Sequence, residues 1–511
     1  MVPVANPPLG VNALQTPQQL LQPSAAAPQL ILTDVQGDVI IGLQKKWQRF
    51  VFFSISADLA GFKAALRGPV ARDVTSAERA RERENQLRDH KLAVAAGSVP
   101  PSGLLIPMIG LNVAFTRSGL AKLLPGVPLD GQGLSALARG PADIARACSD
   151  AMNGPMPAEW DPAFMTAQID GVFLLTGATK DEVDGAWTRL EAELGPTARE
   201  VWPGGAIGNV RPGADAGHEH FGWQDGISQP AVKGISDPFP GQDVVPLGLF
   251  VFGQEGAPPA PFPWMANGSL MVFRKLAQAV AEFGQFLRDD ADKLGMDPAL
   301  LGARMMGRWR SGAPLALAPL QDDRELGGRA DRNNDFDFSD DAGQRRCPFG
   351  SHIRKTNPRS DLPGQVQARR IMRAGIPYGP EMVDAPGAER GLLFVCYQTS
   401  IENQFEFVQA GWSNNTGFAF GKTRPSTPAG VSNGPAPPPG FPQPPAAVTV
   451  GHDPIIGQAG GAARFMDEPV PNYPTGLQRS TLHLARQFVT PRAGVYLFVP
   501  SISALTGPLS A

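Results

Sequence analysis

The feature that most restricts the fold is an order of elements that occurs twice. In the first half, the β-branched and aromatic run Arg49 to Ile55 reads as a buried strand. The amphipathic stretch SADLAGFKAALRGPV follows and predicts a helix that stops at Gly68-Pro69. Residues 74–92 are densely charged and predict a solvated helix or loop. GVFLLTGA (171–178) is a second strand-like run, and TKDEVDGAWTRLEAEL after it predicts a helix capped by Thr179. In the second half a unit of the same kind begins near LGLFVFGQEG (247–256). There GSLMVFRKL predicts a strand and AQAVAEFGQFLRDDADKL a helix, with RGLLFVCYQTSI (390–401) and AGVYLFVPSI (493–502) as later strands. Strand–helix–strand order in each half predicts two similar α+β domains, 32–240 and 241–511, rather than one large sheet. Residues 1–31 read as a flexible leader, and the Pro-rich tract 434–447 as an exposed polyproline-like loop.

Composition narrows the function classes. With 511 residues, 42% apolar and 18% charged, the chain is globular and long enough for two cores. A net charge of −3 gives no basic field, which argues against nucleic acid as a partner. No apolar run reaches the roughly 18 residues of a membrane-spanning helix. The leader lacks a basic start followed by an apolar stretch, so a cytoplasmic location is expected unless a signal was removed, secretion being the alternative. The three cysteines, odd in number and far apart, argue against a disulfide framework, and no C-x-x-C occurs.

Four stretches carry residues suited to chemistry. In HEHFGWQDGISQPAV, Asp225 sits among Phe221, Trp223 and Ile227, where burial of a carboxylate is costly. His218 and His220, flanking Glu219, offer either metal ligands from one strand face or a hydrogen-bonding pair that orders a loop. In RRCPFGSHIRKTNPR, His352 lies among Arg345, Arg346, Arg354, Lys355 and Arg359. Such a setting suits a metal bound by the imidazole beside a dianion such as paired propionates, or else a basic surface loop. Arg373, in the apolar stretch ARRIMRAGIPYGPE, calls for a carboxylate partner, and Asp225 is the candidate. Asp453, in VTVGHDPIIGQ, fits either a carboxylate that orients a metal-bound imidazole or an Asx turn before Pro454.

Taken together these stretches resemble the dye-decolourising peroxidases, most closely their long fungal-type subgroup. HFGWQDGISQPAV contains the family's G-x-x-D-G motif as Gly222, Asp225 and Gly226. CPFGSHIRKTNPR is similar to the family's proximal-histidine segment and RRIMRAGIPYGPE to its distal-arginine segment. QGDVIIGL, RGLLFVCYQTSI, GHDPIIGQ and FVTPRAGVYLFVPSISAL resemble further blocks in the family's order, so that the likeness runs from about residue 33 to 507.

The resemblance implies two ferredoxin-like α+β domains with antiparallel sheets and a non-covalent haem b (iron protoporphyrin IX) held chiefly by the C-terminal domain. It implies His352 as the iron ligand, Asp453 as its hydrogen-bond partner, Arg359 as a propionate contact, and Leu392 and Phe394 as walls of the distal pocket. Asp225 and Arg373 would face the iron from the other side, Asp225 as the acid/base toward hydrogen peroxide and Arg373 as the charge stabiliser. An aspartate base predicts turnover at acidic pH, roughly 3–5. Dyes and lignin-like phenols are the expected aromatic reductants; bulky dyes cannot enter a pocket sized for peroxide, and the resemblance points to Tyr378 and Trp412 as surface electron-transfer sites. Two other classes compete. One is a haem-binding or haem-transfer protein with incidental peroxidase activity; the other is a non-haem metalloenzyme built from His218, His220, Asp225 and His352. Nothing in the sequence specifies the oligomeric state.

Overall fold

A computed structural model describes residues 32–98, 109–129, 133–419, 450–472 and 476–511. The leader 1–31 and the Pro-rich tract 434–447 lie outside the described residues.

Each half contributes four principal strands to the main sheet, beside which the short strands Ala198–Glu200 and Met372–Arg373 also pair. The first half supplies β1 (Trp47–Ile55), β2 (Gly110–Phe115), β3 (Gly171–Gly177) and β4 (Ile207–Asn209). They pair antiparallel in the order β2-β3-β1-β4. The second half supplies β5 (Ser269–Gln278), β6 (Ile376–Tyr378), β7 (Gly391–Gln398) and β8 (Val489–Val499), ordered β8-β5-β7-β6. Numbered within its own half, each sheet has the order 4-1-3-2 or its reverse, the ferredoxin-like arrangement.

The two sheets do not stay separate. Phe498 of β8 pairs with Phe115 of β2, and Tyr378 of β6 pairs with Gly208 of β4. These two seams, each a single residue pair, close the halves into one antiparallel barrel. Closure removes the open edges that two lone sheets would leave to solvent. The barrel interior is aromatic: Phe273 of β5 packs on Phe50 and Phe52 of β1 with ring centroids 5.1 and 4.9 Å apart.

The helices follow their sequence signals where caps are present. Thr179 accepts a hydrogen bond from the Glu182 N–H at the start of α1 (Lys180–Leu194). Val183, Ala186, Trp187, Leu190 and Leu194 form its buried stripe. The charged stretch forms the helix Ala77–Ala95. Two expectations fail. The helix expected to stop at Gly68-Pro69 runs on to Asp73, because the turn Leu66–Val70 is of the wide π type and accommodates the proline ring. LGLFVFGQEG is not a strand: Phe250, Val251 and Phe252 are fully buried, yet Gly253 and Gly256 turn the chain at φ of 78° and 84°. The second sheet therefore starts at Ser269.

Candidate active site

Side-chain alternation gives the second sheet two different faces. Phe273, Leu393 and Val395 point into the barrel and are fully buried. Arg274 and Leu276 of β5 and Leu392 and Phe394 of β7 point the other way, and all four line one cavity. Register places them as neighbours, Arg274 opposite Phe394 and Leu276 opposite Leu392. Ile353, Ile455 and Ile456 add apolar wall elsewhere around the cavity.

On one side stands His352, the first residue of the short helix α2 (His352–Thr356). Its Nδ1 lies 2.8 Å from Asp453 Oδ2. The Asp453 carboxylate is fully buried, and its Oδ1 accepts the N–H groups of Ile455 (2.8 Å) and Ile456 (3.1 Å). Both sequence readings of Asp453 therefore hold at once: the Asx-type turn aims the carboxylate at the imidazole. Burial pushes the Asp453 carboxyl up, but His352 and the two N–H groups outweigh it and hold the group below the ordinary range. His352 responds in the opposite sense. Burial lowers it and Asp453 more than restores it, leaving the imidazole more basic than usual. With Nδ1 engaged, Nε2 is the nitrogen left for a ligand, and 26% of the side chain remains accessible.

Asp225 and Arg373 also line the cavity, joined by an ion pair of 2.7 Å from Nη1 to Oδ1. The same carboxylate oxygen accepts the Gly226 N–H at 2.6 Å, and Gly226 stands at φ 83°, a turn that glycine adopts without strain. Burial raises the Asp225 carboxyl, but Arg373 and then Gly226 lower it by more, so that the net position is below the usual carboxylate range. One expectation is corrected. Asp225 is not buried among Phe221, Trp223 and Ile227; 42% of its side chain is accessible, and it lines the cavity while Phe221 and Trp223 pack into a core behind it.

The basic surroundings of His352 are also redistributed. Arg354 is buried against Asp341 and Asp361, Lys355 donates to the carbonyls of Trp412 and Asn415, and Arg346 pairs with Asp340. Of the five basic residues flanking His352 in sequence, only Arg359 lines the cavity. Its guanidinium donates to the carbonyls of Asn334 and Phe336 and stacks 4.0 Å over the Phe336 ring. Arg308, Arg369 and Arg370, which the sequence reading missed, join it there. Burial pushes Arg308 down to about 9, and Arg359 and Arg370 each to about 10. Such depression of arginine marks buried positive charge with too little counter-charge. Arg370 stands three residues before Arg373 in a stretch already singled out, so its doubled arginine was the available signal.

His218 and His220 do not converge with Asp225 and His352. His220 Nε2 lies 2.9 Å from the Tyr378 carbonyl, and Glu219 accepts the N–H groups of Phe221 and Trp223. These contacts order the loop that presents Asp225. Tyr378 and Trp412 are not surface residues: they are 8% and 1% exposed. Tyr378 lies at a barrel seam with its hydroxyl on Glu389, and Trp412 is stacked on Phe418 at 5.1 Å.

A ferredoxin-like pair of sheets closed into a barrel, with the cavity on the outer face of the second sheet, defines an α+β barrel class. Residues 34–212 match the model of the DyP dimeric alpha+beta barrel domain, and residues 313–419 that of the Dyp-type peroxidase C-terminal domain. A dye-decolorizing peroxidase of Exidia glandulosa is 39% identical over 98% of this chain and 91% of its own length. The crystal structure of a fungal DyP-type peroxidase from Auricularia auricula-judae superposes with a TM-score of 0.76 at 36% identity, covering 95% of this chain and all of that one. A dye-decolorizing peroxidase in complex with 2,6-dimethoxyphenol matches at the same TM-score and identity over 94% of this chain and 100% of its own. The chain belongs to the dye-decolourising peroxidases, a haem-dependent family.

The cavity residues fit a haem. One imidazole is held by its far nitrogen, the flanking walls are apolar, and three largely desolvated guanidinium groups, of which Arg370 pairs with Asp243 at 3.4 Å, leave positive charge for a pair of propionates to offset.

Proposed function

We propose that this peroxidase holds haem b in the cavity through His352 Nε2, with Arg308, Arg359 and Arg370 toward the propionates, and uses hydrogen peroxide to oxidise dyes and phenolic aromatics by one-electron steps. The bound iron would supply the centre at which the peroxide O–O bond is split and its two oxidising equivalents are held. Asp453 keeps the proton on His352 Nδ1 and makes the opposite nitrogen a stronger donor. Asp225, ionised by its contacts with Arg373 and Gly226, takes the proton from the inner oxygen of peroxide. The same carboxyl returns that proton to the outer oxygen, which leaves as water. Arg373 offsets the negative charge that develops between the two transfers. Leu392 and Phe394 keep this part of the cavity apolar and close-fitting. The relative crystallised with 2,6-dimethoxyphenol supports a phenolic class of reductant.

The observation that carries this reading is that His352, held from behind by Asp453, and the Asp225–Arg373 pair line the same cavity. The absorption spectrum of the purified protein tests it. A Soret band that shifts on addition of peroxide is expected, and His352→Ala should lose the band. An unaltered Soret band in His352→Ala would rule out ligation, and a wild-type band indifferent to peroxide would instead favour haem binding without turnover.

A further inference from the structure

Behind the cavity wall lies a buried group of oxidisable side chains that the peroxide chemistry above does not use. Phe394 and Phe405 line the cavity, with their ring centroids 5.9 Å apart. Tyr496 of β8 packs edge-on against Phe405 at 6.3 Å and is 2% exposed. Its hydroxyl donates to Glu406 Oε1 at 2.9 Å, and the same carboxylate pairs with Arg139 at 2.8 Å. Arg139 keeps 30% of its side chain accessible and Glu406 9%, so the proton acceptor has a way out to solvent. On the inner side, the thiol of Cys148, 1% exposed, lies 3.9 Å from the phenolic oxygen.

The other two described tyrosines lack this set of neighbours. The hydroxyl of Tyr378 bonds to Glu389, a carboxylate already engaged by Lys275 and Arg492. The hydroxyl of Tyr397 bonds to Asp38, itself 1% exposed, so a proton passed there stays buried. Among the described tyrosines, Tyr496 alone combines contact with a cavity-lining ring, a carboxylate with a path to solvent, and a thiol as neighbour.

We propose that Tyr496 and Cys148 form an internal discharge route, which removes one oxidising equivalent from the cavity when no reductant is present. The proposal rests on the haem-peroxidase reading above. In the first step Tyr496 gives one electron to the peroxide-oxidised centre and its phenolic proton to Glu406; the tyrosine O–H bond breaks and a carboxyl O–H bond forms. In the second step a hydrogen atom passes from Cys148 S–H to the phenoxyl oxygen, restoring the phenol and leaving the sulfur oxidised by one electron. Glu406 then releases its proton to solvent past Arg139. Burial pushes the Cys148 thiol up to about 12, so it carries the hydrogen that this transfer needs. A bulky dye cannot reach Tyr496, which separates this route from the one that serves substrate turnover.

The test treats the haem-loaded enzyme with excess hydrogen peroxide and no reductant. It follows electron paramagnetic resonance, alkylation of each cysteine by mass spectrometry, and surviving activity on a small phenol. Wild type should show a tyrosyl signal that narrows with ring-deuterated tyrosine and decays as Cys148 is lost to alkylation, while Cys347 and Cys396 remain reactive after unfolding. Tyr496→Phe should abolish that signal and preserve Cys148, with kcat on the phenol unchanged. Cys148→Ala, a small change in a packed site, should keep the signal and prolong it. An undiminished tyrosyl signal in Tyr496→Phe, or Cys148 remaining fully alkylatable in wild type, overturns the proposal. A wild-type enzyme whose absorption spectrum does not respond to peroxide overturns the underlying peroxidase reading as well, and the spectrum tells the two failures apart.

Discussion

Asp453 and Asp225 are the same residue type beside one cavity, and their surroundings assign them opposite tasks. Asp453 is fully buried, and both of its oxygens are engaged, one by His352 and one by two backbone N–H groups. Asp225 has 42% of its side chain accessible, and its hydrogen bonds from Arg373 and Gly226 both fall on Oδ1. Both carboxyls are held below the ordinary range. A carboxylate saturated with donors inside the protein orients its neighbour and exchanges nothing. A carboxylate with a free oxygen turned to a cavity can take up a proton and give it back. A lowered pKa alone does not mark the catalytic group; what distinguishes it is an unoccupied lone pair that faces the place where substrate arrives.

The contrast is broken most severely by Asp225→Asn, which keeps the shape and removes the proton acceptor. The expected result is a fall of about 10²–10⁴-fold in kcat/KM for peroxide with haem retained. Stopped-flow measurement of the peroxide reaction checks it, and an unchanged rate would remove Asp225 from the mechanism. Arg373→Leu should cost about 10²–10³-fold, because it removes the group placed at the developing charge. It should also reshape the pH profile in a known direction. Asp225 acts as base only when ionised, so the rate falls as pH drops through its pKa. Arg373 is the largest of the contacts that lower that pKa. Its loss should move the acidic limb to higher pH, and a limb that stays in place would mean that another group sets it.

On the buried side the expected effect is smaller. Asp453→Asn leaves the Asx-type acceptor in place but withdraws the charge from His352. A loss of roughly 10–100-fold in haem affinity or turnover is expected, the usual scale for a partner that orients a metal ligand. Haem titration of the refolded or apo protein, followed at the Soret band, measures it. A larger loss than that of Asp225→Asn would reverse the assignment of roles between the two aspartates.

How much of this was legible in the sequence follows from how local each signal is. β1, α1 and β7 announce themselves through runs long enough to show a period and, for α1, a cap at Thr179. β4 and β6 have three residues each, too few for any alternation, and yet they carry the seam that closes the barrel. Closure depends on pairs such as Tyr378 with Gly208, which nothing in either segment encodes alone. The site divides in the same way. Asp225, His352, Arg373 and Asp453 sit in unusual local contexts and were found. Arg308 and Arg370 were missed because their significance lies in where the fold places them, desolvated at the cavity wall, while Arg354, beside His352 in the chain, is turned away to Asp341 and Asp361.

The smallest expected effects concern the two aromatic residues first assigned to the surface. Tyr378→Phe removes one hydrogen bond, from the hydroxyl to Glu389, which costs about 1 kcal/mol in stability. Trp412→Phe removes an indole N–H that has no partner among the described residues, so that loss of ring volume is offset by release of a buried unpaired donor. Oxidation of a bulky dye should be unchanged in both variants, because a dye at the surface meets neither ring, at 8% and 1% exposure. Steady-state turnover of one bulky dye and one small phenol, measured on each variant, separates the possibilities. A drop confined to the dye would return that residue to an electron-transfer path, as a relay inside the protein rather than the point of contact. Equal rates on both substrates would leave the cavity mouth as the place where reductants are served.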